Sequence, residues 1–142
     1  MSDAANTILE FIQSTDVQYL ATIGLDGRPK LRPVQMVYAE GGVPVYCTGT
    51  GKAMYQELMA NPEIELCVCQ QHRWVRLSGR VRWLEDRQVK QNIIERNALV
   101  ASIYHSADNP LLAAFGFERA EATLVDLTDS VARRAPEVVQ LC

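Results

Sequence analysis

Hydrophobic and polar positions change period repeatedly along this chain, and each change marks an element. Ile8, Leu9, Phe11 and Ile12 fall at helical spacing within Ala5 to Gln13, behind Ser2 and Asp3 as candidate caps, and predict a short amphipathic helix. From Val17 to Ile23 the residues are β-rich. Asp26-Gly27, followed by Pro29, is a strong hairpin signal leading into a second strand over Leu31 to Tyr38. Glu40-Gly41-Gly42 turns the chain into Val43 to Thr48. Gly49-Thr50-Gly51 then breaks the pattern, and Lys52 to Ala60 resumes at helical period with Met54, Leu58 and Met59 before Asn61-Pro62 stops it.

Ile64 to Cys69 and Trp74 to Trp83 predict another antiparallel pair, joined by the polar Gln70-Gln71-His72-Arg73. A helix is expected from Asp86 or its neighbour through about Ala98, and Ser106-Ala107-Asp108-Asn109-Pro110 reads as a loop. A late strand, Ala122 to Leu127, precedes a polar tail with Arg133-Arg134 and Pro136. Short strands joined mostly by tight turns and interrupted by two helices favour a mainly β, α+β architecture: a small antiparallel barrel with helices packed outside. A doubly wound parallel sheet would need strictly alternating strands and helices, and G-x-G-x-x-G is missing. No repeat or linker divides the chain, so residues 1–142 are expected to form a single domain.

Composition narrows the classes further. The chain has 142 residues, 48% hydrophobic and 22% charged, which suits a folded globular protein and not a disordered one. A net charge of -3 argues against a nucleic-acid or anionic-membrane binder that relies on its overall field. With no apolar run near the roughly 20 residues that span a bilayer, and no basic region before an apolar stretch at the N-terminus, a cytoplasmic location is expected. Cys47, Cys67, Cys69 and Cys142 form no C-x-x-C pair, and His72 and His105 lie in unrelated surroundings, so free thiols and no metal site are expected.

Three stretches carry candidate chemistry. In Trp74 to Trp83 the alternation puts Val75, Leu77, Val81 and Trp83 on one face, and Trp74, Arg76, Ser78, Arg80 and Arg82 on the other. Such a face is either a solvated strand surface or an anion- or partner-binding one, and the Trp beside Arg76 favours binding. Like charges on one strand repel unless partners or ligand lie opposite, which a two-fold partner would supply. Cys47-Thr48-Gly49-Thr50-Gly51-Lys52 runs straight into a helix; it is a flexible turn or a phosphate cradle in which amides, helix dipole and ammonium converge. A Walker A motif fails, since Tyr46 and Ala53 stand where Gly and Ser or Thr belong. Arg32-Pro33-Val34-Gln35-Met36 must lie at a sheet edge or bulge, because Pro33 cannot donate to a ladder, and it is either an ordinary edge or exposed backbone beside a fixed charge. Nothing matches a hydrolase constellation, and Asp126 and Asp129 read as turn caps.

Taken in order, Tyr19-Leu20-Ala21-Thr22, Asp26-Gly27, Arg32-Pro33-Val34, Thr48, Lys52, Asn61-Pro62 and Trp74-Val75-Arg76-Leu77-Ser78-Gly79 resemble the pyridoxamine 5′-phosphate oxidase-like family, the FMN-binding split β-barrels. The resemblance spans about residues 8 to 127 and rests on order and spacing together. The Trp-x-Arg-x-Ser-Gly strand and Asp108-Asn109-Pro110 are similar to the small NimA/NimC-like proteins of the nitroimidazole-resistance group. The resemblance implies a homodimer with two FMN molecules in clefts at the subunit interface. It implies that Arg32 and Lys52 bind the FMN phosphate with Thr48 donating a hydroxyl, and that the backbone of Pro33, Val34, Gln35, Met36 and Val37 runs along the isoalloxazine. Cys47 and Gly51 match further contact positions, Trp74 falls where the oxidase places a flavin-contacting Gln, and Arg76 adjoins it. That departure puts a hydrogen bond in doubt and leaves room for stacking. The tail Arg133-Arg134-Ala135-Pro136 does not reproduce the oxidase segment that holds pyridoxal phosphate.

The expected activity is an FMN-dependent oxidoreductase passing hydride or electrons between flavin and a small organic substrate, with a nitroaromatic among the candidates. The flavin supplies the chemistry, and no side chain is assigned as acid or base. The alternatives are a non-catalytic flavin-binding or sensing module, and a split barrel holding haem or deazaflavin.

Overall fold

The computed structural model describes residues 2–128 and 136–142, so Asp129 and Arg133-Arg134-Ala135 lie outside the described residues. Ser2 caps the first helix, α1 (Asp3–Gln13), by accepting from the Ala5 amide, and Ile8, Phe11 and Ile12 turn inward. Strands β1 (Gln18–Ile23) and β2 (Pro29–Val34) pair around the Asp26-Gly27 turn. β3 (Tyr38–Glu40) and β4 (Val43–Gly49) form a tight hairpin whose Gly41 and Gly42 both have positive φ, 57° and 84°, the conformation that a primed turn demands. Helix α2 (Ala53–Ala60) leads to β5 (Glu63–Gln70) and β6 (Arg73–Leu84). Helices α3 (Arg87–Arg96) and α4 (Ala98–Tyr104) precede the long β7 (Leu112–Asp126) and the short β8 (Val139–Gln140).

All pairings are antiparallel, in the order β2-β1-β5-β6-β7-β4-β3, with β8 beside β7. This is the small antiparallel barrel with helices outside that the strand pattern predicts, in the split form that the resemblance implies. Leu20, Tyr46, Leu66, Leu77 and Phe115 fill its interior, all at 1% exposure or less. A second cluster, Tyr38, Val45, Val89, Ile93 and Ala114, lies where β3, β4 and β7 meet α3. It covers the outer side of β4, so that strand is sandwiched.

Three predicted boundaries move, each for a physical reason. The strand expected over Leu31 to Tyr38 stops at Val34; Pro33 sits on the terminal strand of the sheet, and the ladder resumes only at Tyr38, against β4. The late strand begins at Leu112, not Ala122. Its first half is an unbroken buried run, Leu112 to Phe117, with partners on both sides, and it shows no alternation because neither face meets water. The helix expected to run to Ala98 ends at Arg96. Asn97 closes α3 and also caps α4, accepting from the Val100 amide at 3.1 Å, so a further helix follows where none is expected.

On β6 the two predicted faces are present. Val75 and Leu77 are fully buried and Arg76, Arg80 and Arg82 exposed. Two arginines of the charged face are balanced from within the chain, however. Arg76 pairs with Glu65 at 3.1 Å, Arg80 with Glu63 at 3.2 Å and Glu118 at 2.5 Å, so the acidic groups come from neighbouring strands of the same chain. No second molecule is needed to balance these two arginines.

A candidate ligand site beside the first turn of helix α2

One large cavity, about 620 Å³, opens between the β2–β3 connection, β4, the start of α2 and the whole of α4. That size lies within the range of small-molecule and cofactor sites, roughly 300–1,000 Å³. Of the residues singled out above, Arg32, Pro33, Val34, Gln35, Val37, Cys47, Thr48 and Lys52 line it together. The first group joins the end of β2, where Arg32, Pro33 and Val34 are still paired with β1, to the β2–β3 connection. Gln35 and Val37 line the cavity from outside the β2 ladder, with the Val37 amide donating to the Val45 carbonyl at 2.9 Å.

The polar end is built by α2. Lys52 stands at its N-cap with extended backbone, no side chain caps the helix, and Ala53 and Met54 line the cavity with it. An uncapped helix start is a site of partial positive charge. Thr48 projects from β4 beside it. Its hydroxyl is the one buried side-chain polar atom among the described residues left without a partner. A buried hydroxyl with no acceptor or donor costs about 1–3 kcal/mol, so an occupant that bonds it repairs a defect in the protein alone. This end therefore fits an anionic, oxygen-rich group such as a phosphate ester.

Arg32 is more constrained than a free cation. Its Nη2 donates to Glu57 Oε1 at 2.5 Å and its Nη1 to Thr22 Oγ1 at 2.7 Å and to the Leu20 carbonyl at 3.3 Å, while the Thr22 hydroxyl donates to the same Glu57 oxygen at 2.9 Å. Glu57 is only 6% exposed. It was not among the expected site residues, although a signal exists. Counting three and four residues on from Met54 gives Glu57 and Leu58, so helical period puts the carboxylate on the inner face, whereas Met59, read as apolar and inward, is 56% exposed.

The opposite wall is apolar. Leu99, Val100 and Ile103 of α4 face the cavity together with Val17, and Leu99, Ile103 and Val17 remain largely open to solvent. Tyr104 reaches over Gly49, where a Cβ would lie 2.5 Å from its hydroxyl oxygen, so any larger residue there would push the phenol aside. Burial pushes the Cys47 thiol up to about 11, against a weaker opposing pull from Lys52, so it is a neutral thiol at physiological pH. Burial also raises Tyr104, with Cys47 adding to the effect. No residue of α4 was anticipated as part of the site.

Met36, Gly51, Trp74 and Arg76 do not line the cavity of this chain. Met36 packs toward the barrel core. Arg76 lies in a cross-strand row with Cys67, Tyr19 and Pro33, which puts about three strand spacings, roughly 14 Å, between it and Pro33. Trp74 stands farther along the same strand, opposite Cys69 and Val125. Among the described residues no cluster of three or more metal-ligating side chains occurs, and no helix is long and apolar enough to cross a membrane.

Comparison with known proteins agrees with this architecture. Residues 4–127 match the family described as Pyridoxamine 5′-phosphate oxidase, and the chain belongs to that family. Among solved structures it is similar to a NimC/NimA family protein from Clostridium acetobutylicum, with 26% identity, TM-score 0.83, and 98% of this chain and 94% of that one covered. It shares its fold with General Stress Protein 26 from Bacillus anthracis at 15% identity and TM-score 0.74, over 99% of this chain and 100% of the other. A heme binding protein from Mycobacterium smegmatis has the fold as well, at 18% identity and TM-score 0.70, over 99% of this chain but 59% of that one. No curated protein matches the chain.

Proposed function

We propose that residues 1–142 act as one FMN-binding split-barrel domain, and that the protein is an FMN-dependent oxidoreductase working as a cytoplasmic homodimer on a small organic substrate. The observation that carries this reading is the polar end of the cavity, where Lys52, the uncapped start of α2 and the unpartnered Thr48 hydroxyl meet. They would hold the phosphate. The chain from Pro33 to Val37, at the end of β2 and in the connection after it, would run along the isoalloxazine, with Cys47 among its contacts. Bound there, the flavin would supply the hydride or electron transfer. This chain's residues would bind it, orient it and, through the apolar face of α4, keep water from one side.

The dimer rests on what one chain leaves open. Val17, Leu99 and Ile103 form an exposed apolar rim around the cavity, and Trp74 and Arg76 lie too far from it to reach the same ligand within one chain. A two-fold partner would cover the rim and bring its own Trp74 and Arg76 to the flavin. Haem ranks below FMN because neither His72 nor His105 lines the cavity. The test is the absorption spectrum of the purified protein, with the mass of the cofactor released on denaturation. Flavin bands with the mass of FMN support the proposal; a Soret band or a deazaflavin mass overturns it.

A further inference from the structure

Resting on that flavin reading, we propose that Glu57 is a specificity-determining residue of the cavity, which aims Arg32 at the phosphate and offsets its charge, and so sets how strongly the site prefers a phosphorylated flavin over an unphosphorylated one. The Arg32 guanidinium is partly committed within the chain. Of its five N–H donors, three are engaged: two on Nη1, to Thr22 Oγ1 and the Leu20 carbonyl, and one on Nη2, to Glu57. Those left over are Nε–H and the second Nη2–H, neighbouring donors with the spacing that matches two oxygens of a phosphate. The edge turned toward β1 and α2 is thus occupied by protein. The remaining edge is available on a side chain that lines the cavity.

Glu57 holds this arrangement from a buried position, and its Oε1 takes both the Arg32 and the Thr22 bonds. Three contacts to one guanidinium remove most of its rotamer freedom before any ligand arrives, which lowers the cost of a later bidentate contact. The carboxylate also opposes the field that a dianionic phosphate would meet, and in a cavity partly shielded from water that opposition is strong. Lys52, which is paired with no carboxylate among the described residues, then supplies the uncompensated charge. Riboflavin carries no phosphate and should be indifferent to all of this.

Glu57→Gln keeps the acceptor that both Arg32 and Thr22 use while removing the charge. The ratio of FMN to riboflavin affinity, measured by flavin fluorescence titration of the apoprotein, should rise about tenfold, with riboflavin affinity changed less than twofold. Thr22→Val keeps both charges and nearly the same volume but withdraws the Nη1 acceptor; there the ratio should fall severalfold, again with riboflavin unmoved. A merely structural role would shift both flavins alike. If Glu57→Gln does not fold, Thr22→Val alone decides. A ratio that stays at the wild-type value in the folded variants, or that moves because riboflavin affinity changes, overturns the role of Glu57 while leaving the flavin reading intact. A wild-type protein that binds neither flavin overturns both.

Discussion

The Tyr46 hydroxyl donates to the side-chain carbonyl of Gln18 inside the barrel, where the two residues are 1% and 0% exposed. Gln18 Nε2 in turn donates to the Ile12 carbonyl at 3.0 Å and the Thr15 carbonyl at 3.2 Å, so one buried amide ties the end of α1 and the following turn to β1 and β4. Both ends of the bond are sheltered from water. Gln18→Leu should therefore cost about 2–4 kcal/mol in urea unfolding, since it strands the buried Tyr46 hydroxyl and takes a donor from the Ile12 and Thr15 carbonyls, of which Ile12 keeps the Thr15 amide. A loss well under 1 kcal/mol would mean that water replaces the amide.

Tyr46 also gives an alkaline signature. Burial raises its phenol above the ordinary value of 10.0, so the folded state resists ionisation that the unfolded chain accepts. The resulting stability is complete below pH 10 and is lost as pH rises toward the folded value, with a slope near 1.4 kcal/mol per pH unit from this group. Tyr46→Phe should be less stable at neutral pH and should lose stability less steeply between pH 10 and 11. Parallel curves for the two proteins would remove Tyr46 as the cause.

Thr48→Val should move two properties in opposite directions. No protein bond is lost, because the hydroxyl has no partner, so the apoprotein should melt at the same temperature or higher. FMN should bind several-fold more weakly. A stability loss above about 1 kcal/mol, or unchanged FMN affinity, would refute the assignment of this hydroxyl to the ligand.

How much of this was legible in the sequence depends on whether a residue's environment leaves a period. On β6, with one face wet and one dry, the alternation from Trp74 to Trp83 gives the faces, and the polar turn before it gives the pairing with β5. On β7 the run Leu112 to Phe117 is covered on both sides, and its boundary is invisible without the structure. At the polar end of the cavity, Thr48 and Lys52 lie in one contiguous stretch, Cys47 to Lys52, and are readable for that reason. Its apolar wall is not, because α4 depends on Asn97 serving two helices at once and comes to β4 only through the space left at Gly49. Glu57 was recoverable from helical period, but its partner Arg32 lies 25 positions away, and spacing alone cannot join them.

Thiol chemistry offers an independent view of the cavity floor. Cys69 is exposed, whereas Cys47 is held protonated to about pH 11 by burial. Iodoacetamide at pH 8 should label Cys69 readily and Cys47 slowly, and peptide mass analysis gives the order. Saturating FMN should slow Cys47 further without affecting Cys69; equal protection of both would contradict the placement of the ligand over Cys47.

Assembly and flavin binding should be linked. If each flavin touches two chains, saturating FMN raises the dimer fraction in sedimentation at low protein concentration, and Trp74→Ala with Arg76→Ala weakens both dimerisation and FMN binding. An FMN-saturated monomer, or a double variant normal in both respects, would separate these side chains from the site.

The central claim is that a phosphate is anchored at the start of α2, and the most direct measurement compares FMN with riboflavin on wild-type protein and on Lys52→Ala. Removing the ammonium takes away a charge-assisted hydrogen bond of about 1.5–3 kcal/mol, so FMN should bind about 10–100-fold more weakly to the variant while riboflavin is unaffected and the fold persists. Equal affinity of the wild type for FMN and riboflavin, or an unchanged FMN affinity in Lys52→Ala, would contradict it.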